Sequence, residues 1–229
     1  MKLKYAILSF ILVLALSSCK NDSSKEYWTM ELIEVNTAIN TGKEAKKGNL
    51  TFKETIVTDA EGNKKEHWYY NRNGQLTTFE RYIYGTDEKL PFKSNFYDYK
   101  DSLLSYYVFE YDSIGNKTVT NSYDASTNEL LRVEQFDYDK NNNRIARRIL
   151  TASGQLVRRY EFTFDKDGNE STYAVYDSDD KKLVTEAFSI TKSDEKGWVE
   201  KWSFRNEEPS TIKTRKFVKF LPAKITEVR

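Results

Sequence analysis

One turn sequence recurs along this chain at even intervals. Thr58–Asn63 (TDAEGN), Tyr111–Asn116 (YDSIGN), Tyr138–Asn143 (YDKNNN) and Phe164–Asn169 (FDKDGN) share an Asp, two variable residues, Gly or Asn, and a final Asn. The final asparagines lie 53, 27 and 26 residues apart, and degraded copies fall near Gly85–Lys89 and Ser193–Gly197. A second series runs between them: Leu50, Leu76, Leu103, Leu130, Leu156 and Leu183 step by 26, 27, 27, 26 and 27, each beside a polar or Gly-containing turn such as Asn73–Leu76 or Ser153–Leu156. Two series holding one spacing over six copies define a repeat, which takes precedence over local propensity.

Asp, Asn and Gly close tight turns because they tolerate positive φ. The intervening seven to nine residues are rich in Tyr, Phe, Val, Thr and Ile, which suit a pleated surface. Each unit therefore reads as two strands and two turns. Leu156–Phe164 (LVRRYEFTF) alternates well, with Tyr160, Phe162 and Phe164 on one face and Arg159, Glu161 and Thr163 on the other. Leu131–Tyr138 (LRVEQFDY) alternates less cleanly, which fits a bulge or a strand covered on both faces. The expectation is a mainly all-β fold: an antiparallel meander of about 12–13 strands from residue 49 to 220. Twist of about 20–25° per strand pair accumulates to roughly 240–300°, so the sheet must coil or close; a coiled open sheet is the predicted form.

Residues 27–48 precede the repeats. Trp28, Leu32, Val35 and Ile39 stand at i, i+4, i+7 and i+11, a spacing that predicts a helix capped near Ser24 and ended near Gly42. An additional strand is the competing reading. Residues 221–229 read as a frayed tail.

The motif Y-x-Y-D-x-x-G-N, best matched by Tyr111, Asp112, Gly115 and Asn116, resembles the YD repeats of Rhs-type proteins. The spacing is also similar to the looser hairpin repeats of bacterial MORN-like lipoproteins. At Phe164 a phenylalanine stands where the motif has tyrosine, and at Asn142 an asparagine stands for glycine. The resemblance implies repetitive sheet geometry and nothing about activity.

The N-terminus carries a separate signal. Lys2 and Lys4 precede an uncharged run, Ala6–Leu16, of signal-peptide length and too short to span a bilayer as a helix. Leu16–Cys19 (LSSC) follows and resembles the lipobox of bacterial lipoproteins. That resemblance implies cleavage between Ser18 and Cys19, acylation (palmitate-type chains) on the Cys19 thiol, a signal peptide over 1–18 and a lipidated tether over 19–26. Cys19 is the only cysteine, so no disulfide competes for it. Lys20 at the next position favours the outer membrane, and CKNDSSKE loosely resembles the surface-export signal of Bacteroidota lipoproteins, from which Asn21 departs.

Without Lys2 and Lys4 the chain has 34 basic and 35 acidic residues. Such balance does not make the concentrated positive field that nucleic acid requires. Charged residues such as Arg147, Arg148, Arg158 and Arg159 fall on both strand faces, which disfavours a membrane-spanning barrel. The single histidine, His67, cannot build a multi-histidine zinc site, and its neighbour Glu66 points to the opposite face of a strand. Asp165–Tyr176 offers three EF-hand-like oxygen positions, but Glu170 and Tyr176 stand where the loop needs glycine and a bidentate glutamate. No catalytic constellation and no cofactor motif is present in the sequence. Aromatic residues, 14% of the chain, offer the remaining candidates: Trp68, Tyr70, Tyr107, Trp198 and Trp202 as a platform for protein or glycan, set against a structural role covering the sheet. The expected function is a lipid-anchored, non-enzymatic binding or scaffold module of the cell envelope. An envelope hydrolase using a carboxylate pair, or an immunity-type partner-binding protein, is the alternative.

Overall fold

The computed structural model describes residues 27–41, 45–86 and 89–220. These form 14 strands and no helix: β1 (Trp28–Asn40), β2 (Ala45–Thr58), β3 (Lys64–Tyr70), β4 (Leu76–Tyr84), β5 (Pro91–Asp98), β6 (Leu103–Tyr111), β7 (Lys117–Asp124), β8 (Leu130–Tyr138), β9 (Arg144–Thr151), β10 (Leu156–Phe164), β11 (Glu170–Tyr176), β12 (Lys182–Asp194), β13 (Gly197–Arg205) and β14 (Glu208–Phe220). Each pairs antiparallel with its sequence neighbours, and β1 pairs with β14, from Trp28↔Phe220 to Thr37↔Thr211. The sheet is a closed barrel. Residues 1–26 and 221–229, with the Ser18/Cys19 processing site and the tail reading, lie outside the described residues.

The repeat is a set of carboxylate-capped turns. In Asp112–Asn116 the Asp112 N–H donates to the Asn116 carbonyl (2.9 Å) and the Gly115 N–H to the Asp112 carbonyl (3.1 Å). The Asp112 carboxylate accepts from the Asn116 backbone (2.8 Å) and side-chain amide (3.1 Å). Asp59–Asn63, Asp139–Asn143 and Asp165–Asn169 repeat this pattern. The fourth residue takes positive φ, +91° at Gly115 and +63° at Asn142, so the motif keeps Gly or Asn there. The tyrosine before the turn is a clamp across the hairpin on its N-terminal side. Hydroxyls of Tyr84, Tyr111 and Tyr138 donate to the carbonyls of Lys64, Pro91 and Lys117, at 2.6, 2.7 and 2.9 Å. Phe164 has no hydroxyl with which to continue the series.

The second leucine series marks bulges at the opposite rim. Leu103 pairs with Tyr97 and Ser105 with Phe96, leaving Leu104 unopposed. Leu131, Val157 and Leu183 are skipped in the same way. Leu104, Leu131, Val157 and Leu183 are all exposed. The bulge at Leu131 accounts for the imperfect alternation of β8.

Two sequence expectations are corrected. Residues 27–48 are not a helix: Trp28–Asn40 is β1, hydrogen-bonded on both sides. Its period-2 pattern is masked because both faces are buried, Met30 and Asn36 on one and Ile33 and Val35 on the other. A helical stripe through Trp28, Leu32, Val35 and Ile39 is then a coincidence of an apolar-rich strand. The sheet is not open: β2–β14 are the expected meander of 13 strands, and β1 adds a fourteenth that closes it. Bulges near the turns add curl, and β1 supplies the partner that β14 would otherwise lack.

Directly opposed residues share a face. His67↔Glu80↔Phe96, Ser94↔Tyr107↔Ser122 and Phe109↔Thr120↔Glu134 therefore project together. All of these but Ser94 and Ser122 line one cavity reaching from β3 to β8. Rings two strands apart meet on this face, Tyr69 with Phe96 at 6.0 Å and Tyr82 with Phe109 at 6.3 Å, so this is the concave side, the lumen. The convex side carries ion pairs, Arg148–Asp137 at 2.6 Å and Arg159–Glu161. A bilayer-spanning barrel needs an apolar band there. The outer face also holds the apolar cluster Met30, Val57, Trp68 and Phe79.

Candidate functional site

The lumen cavity of about 290 Å³ is lined by aromatic rings from four strands (Tyr69, Tyr82, Phe96, Tyr107 and Phe109) interleaved with Lys64, His67, Glu80, Lys117, Arg132 and Glu134. Strand pairing brings these residues together from positions up to 70 apart in sequence, Lys64 to Glu134. Phe96 meets Tyr107 edge-on at 6.0 Å, and Tyr82 stacks near Phe109 at 6.3 Å. The rings form a wall whose polar edges face the cavity.

His67 is fixed at both nitrogens. Nε2 lies 2.9 Å from the Glu54 carboxylate on β2. Nδ1 lies 3.0 Å from the Tyr69 hydroxyl and 3.3 Å from Lys64 Nζ. An ammonium can only donate, so Nδ1 is the acceptor and Nε2 carries the proton toward Glu54. Burial would raise the Glu54 carboxyl, but the His67 hydrogen bond, aided by the charges of Lys213 and Lys64, holds it below the ordinary glutamate value. Burial, with Glu80 and Glu54 nearby, pushes the Tyr69 phenol well up, and burial beside Glu80 does the same to Tyr82. Both remain neutral donors, and Tyr82 donates to Glu80 at 2.7 Å.

The orienting carboxylate of His67 is therefore Glu54, supplied by the β2–β3 register. Glu66 points outward, accepting from Trp68 Nε1 (2.6 Å) and Arg81 (3.1 Å), as strand alternation requires. Among the described residues no cluster of His, Cys, Asp and Glu is arranged to hold a metal. Asp165, in the calcium-like segment, caps its own turn through Asp167 N–H (2.9 Å) and Asn169 N–H (2.8 Å).

The five aromatic candidates separate. Tyr107 lines the lumen. Trp68 is 0% exposed within the outer cluster, and Tyr70 packs against that cluster with Lys53 over its ring. Trp202 donates to Glu200 (3.0 Å), and Trp198 carries the Arg215 guanidinium over its ring at 4.5 Å and lines a different depression with Phe188 and Ile190. Lys64, Glu80, Tyr82, Phe96 and Lys117 belong to the cavity although sequence reasoning did not single them out. Glu80, Tyr82 and Phe96 share the lumen-facing parity of consecutive strands, whereas Lys64 and Lys117 reach the lumen from the opposite parity through the bulges at Lys65 and Thr118.

No family model matches the chain, and no curated protein matches it. Among solved structures, a porin-like protein from Bacteroides uniformis is similar at 12% identity and a TM-score of 0.42, over 83% of this chain and 96% of that one. The crystal structure of TcdB2-TccC3 without its hypervariable C-terminal region is similar at 13% identity and a TM-score of 0.35, over 72% of this chain; the match spans 10% of that chain's length. The LolA superfamily protein NE2245 from Nitrosomonas europaea is similar at 9% identity and a TM-score of 0.32, over 87% and 89% of the two chains. These likenesses are too distant to carry a functional argument.

Proposed function

We propose that the protein is a lipid-anchored, non-enzymatic binding module of the cell envelope, and that it holds a small polar, ring-bearing ligand such as a glycan unit in its barrel lumen. The observation that carries this reading is the aromatic wall of Tyr69, Tyr82, Phe96, Tyr107 and Phe109 set among fixed hydrogen-bonding groups. Aromatic faces with a few oriented polar groups are what a ring-bearing polar ligand needs. The hydrolase alternative would need a carboxyl with a raised pKa. Every described carboxyl with a resolved shift, Glu54 among them, is lowered, and Glu134 is held by Arg147 (2.9 Å) and Arg132 (3.2 Å).

The lipobox-like Leu16–Cys19 supports the anchor. β1 begins beside the end of β2, with Thr29 opposite Thr58, so an anchor at Cys19 would bring the rim of Asp-capped turns toward the membrane. Glycan-array binding by the chain from residue 27 onward tests the module. Signal from specific glycans that falls at least tenfold in Tyr107→Ala is expected, and equal binding by the variant would remove the lumen from the account. Cys19→Ala should release the full chain from membranes; retention after a salt wash would overturn the anchor.

A second reading rests on the evenly spaced exposed row Leu104, Leu131, Val157 and Leu183 at the opposite rim, an apolar edge suited to a protein partner. Pull-down from envelope extracts with wild type and Leu131→Asp tests it: a partner lost in the variant supports that edge, and one retained excludes it.

A further inference from the structure

The lumen's cations are not treated alike. Several on the rest of the barrel wall are matched: Lys201 with Glu170 at 3.3 Å, Arg215 with Glu31 at 3.2 Å, Arg205 with Glu186, and Arg147 with Glu134 at 2.9 Å. Lys64, Lys117, Arg144 and Lys213 form no ion pair with a carboxylate among the described residues, and of these Lys64 and Lys117 line the cavity together. Lys64 Nζ has only the His67 ring nitrogen at 3.3 Å and the Tyr82 ring at 4.7 Å. Lys117 Nζ sits over Phe109 at 4.7 Å and Phe136 at 5.3 Å.

The carboxylates nearby are already engaged. Glu54 takes His67, Glu80 takes the Tyr82 and Ser94 hydroxyls, and Glu134 takes two arginines. The cavity wall thus holds three cations, Lys64, Lys117 and Arg132, against two carboxylates, Glu80 and Glu134. Lys64 stands over the Tyr82 ring and Lys117 over the Phe109 ring, and the two rings lie 6.3 Å apart.

Resting on the lumen-binding reading, we infer that the cavity selects an acidic ligand: a compact carboxylate or phosphate placed between Lys64 and Lys117, carried on a ring-bearing body that lies on Tyr82 and Phe109. Burial lowers both lysine pKa values although Glu80, Glu54 and Glu31 pull on Lys64 and Glu80 and Glu134 on Lys117; neither ammonium has a carboxylate at ion-pairing distance among the described residues. An incoming anion supplies that charge in a low-dielectric wall, where it counts most. The rings alone hold an uncharged sugar, so the lysines add selectivity to a site the aromatic wall already forms.

Isothermal titration with glucuronate, glucose 6-phosphate, glucose and inorganic phosphate tests this. At least one acidic sugar should bind tenfold or more tightly than glucose, and which one does so identifies a uronate or a phosphorylated source. Inorganic phosphate should bind more weakly than the preferred acidic sugar, because it lacks the ring. The double variant Lys64→Gln/Lys117→Gln, checked for wild-type Tm and circular dichroism, should lose the preference for the acidic sugar over glucose. If that variant fails to fold, Lys117→Gln alone should reduce the preference. Glucose binding as tightly as the acids, or an undiminished preference in the variants, would overturn the anion site and leave lumen binding standing. Binding of none of the four probes would also overturn it, and lumen binding is then judged separately by the glycan array. Inorganic phosphate matching the acidic sugar would remove the ring contact from the inference.

Discussion

The stretch from β3 to β11 and the seam of β12, β13, β14, β1 and β2 build one barrel by different means. In the first, strands are 7–9 residues long and each fully described reversal is a short capped turn. In the seam, β1, β12 and β14 run to 13 residues and β2 to 14, and the ring closes through pairs nearly the whole chain apart, such as Trp28↔Phe220. Local turn chemistry therefore sets the hairpins, while closure depends on long ladders with no turn between their ends. The first should tolerate a lost turn, and the second should not tolerate a broken ladder.

The largest expected effect is at the seam. Ile33 is buried and pairs with Glu54 on one side and Arg215 on the other. Ile33→Pro removes a ladder donor and a buried side chain, a loss of more than about 5 kcal/mol. Urea unfolding should show no cooperative native transition; a midpoint near wild type would mean that closure is dispensable.

Acid should act on the turns. The Ser126 hydroxyl with the Thr127 and Ser126 N–H groups holds Asp124 down at about 2, and the turn donors of Asp98, Asp139 and Asp165 lower those carboxyls too. A depressed carboxyl contributes stability that is complete above its unfolded value, about 3.9, and lost as pH falls through its folded value. The midpoint should fall between pH 4 and pH 2, and less steeply in Asp124→Asn; an equal slope in the variant would detach the turns from acid unfolding.

Two smaller changes should improve the repeat. Phe164→Tyr would restore the clamp, toward the Arg144 carbonyl, for a gain of about 0.5–1.5 kcal/mol. Asn142→Gly relieves positive φ and should gain at most about 1 kcal/mol. Thermal or urea unfolding measures both, and destabilisation by Phe164→Tyr would show that the tyrosine ladder is not a clamp.

The same contrast governs what was legible in sequence. Asp112, Gly115 and Asn116 announce their turn because few residues fit its φ values and donors. Tyr160 and Phe162 fall on the lumen face as alternation requires. Closure was not legible, because β1 shows no clean alternation when both its faces are buried and because pairing with β14 leaves no local mark. Tyr107 could be picked out as an aromatic, but Glu54 becomes the partner of His67 only once the β2–β3 register is known. Sequence reasoning did not single out Lys64 and Lys117, because only bulges and the curvature of the sheet place them against aromatic rings.

Closure itself is open to one direct measurement. Glu34 and Thr214 are register partners across the β1–β14 seam. Glu34→Cys/Thr214→Cys, made with Cys19→Ser, should form an intramolecular disulfide in high yield under mild oxidation of the folded protein, while Glu34→Cys/Thr185→Cys should not. Absence of that crosslink, or crosslinking only between molecules, would contradict the closed barrel.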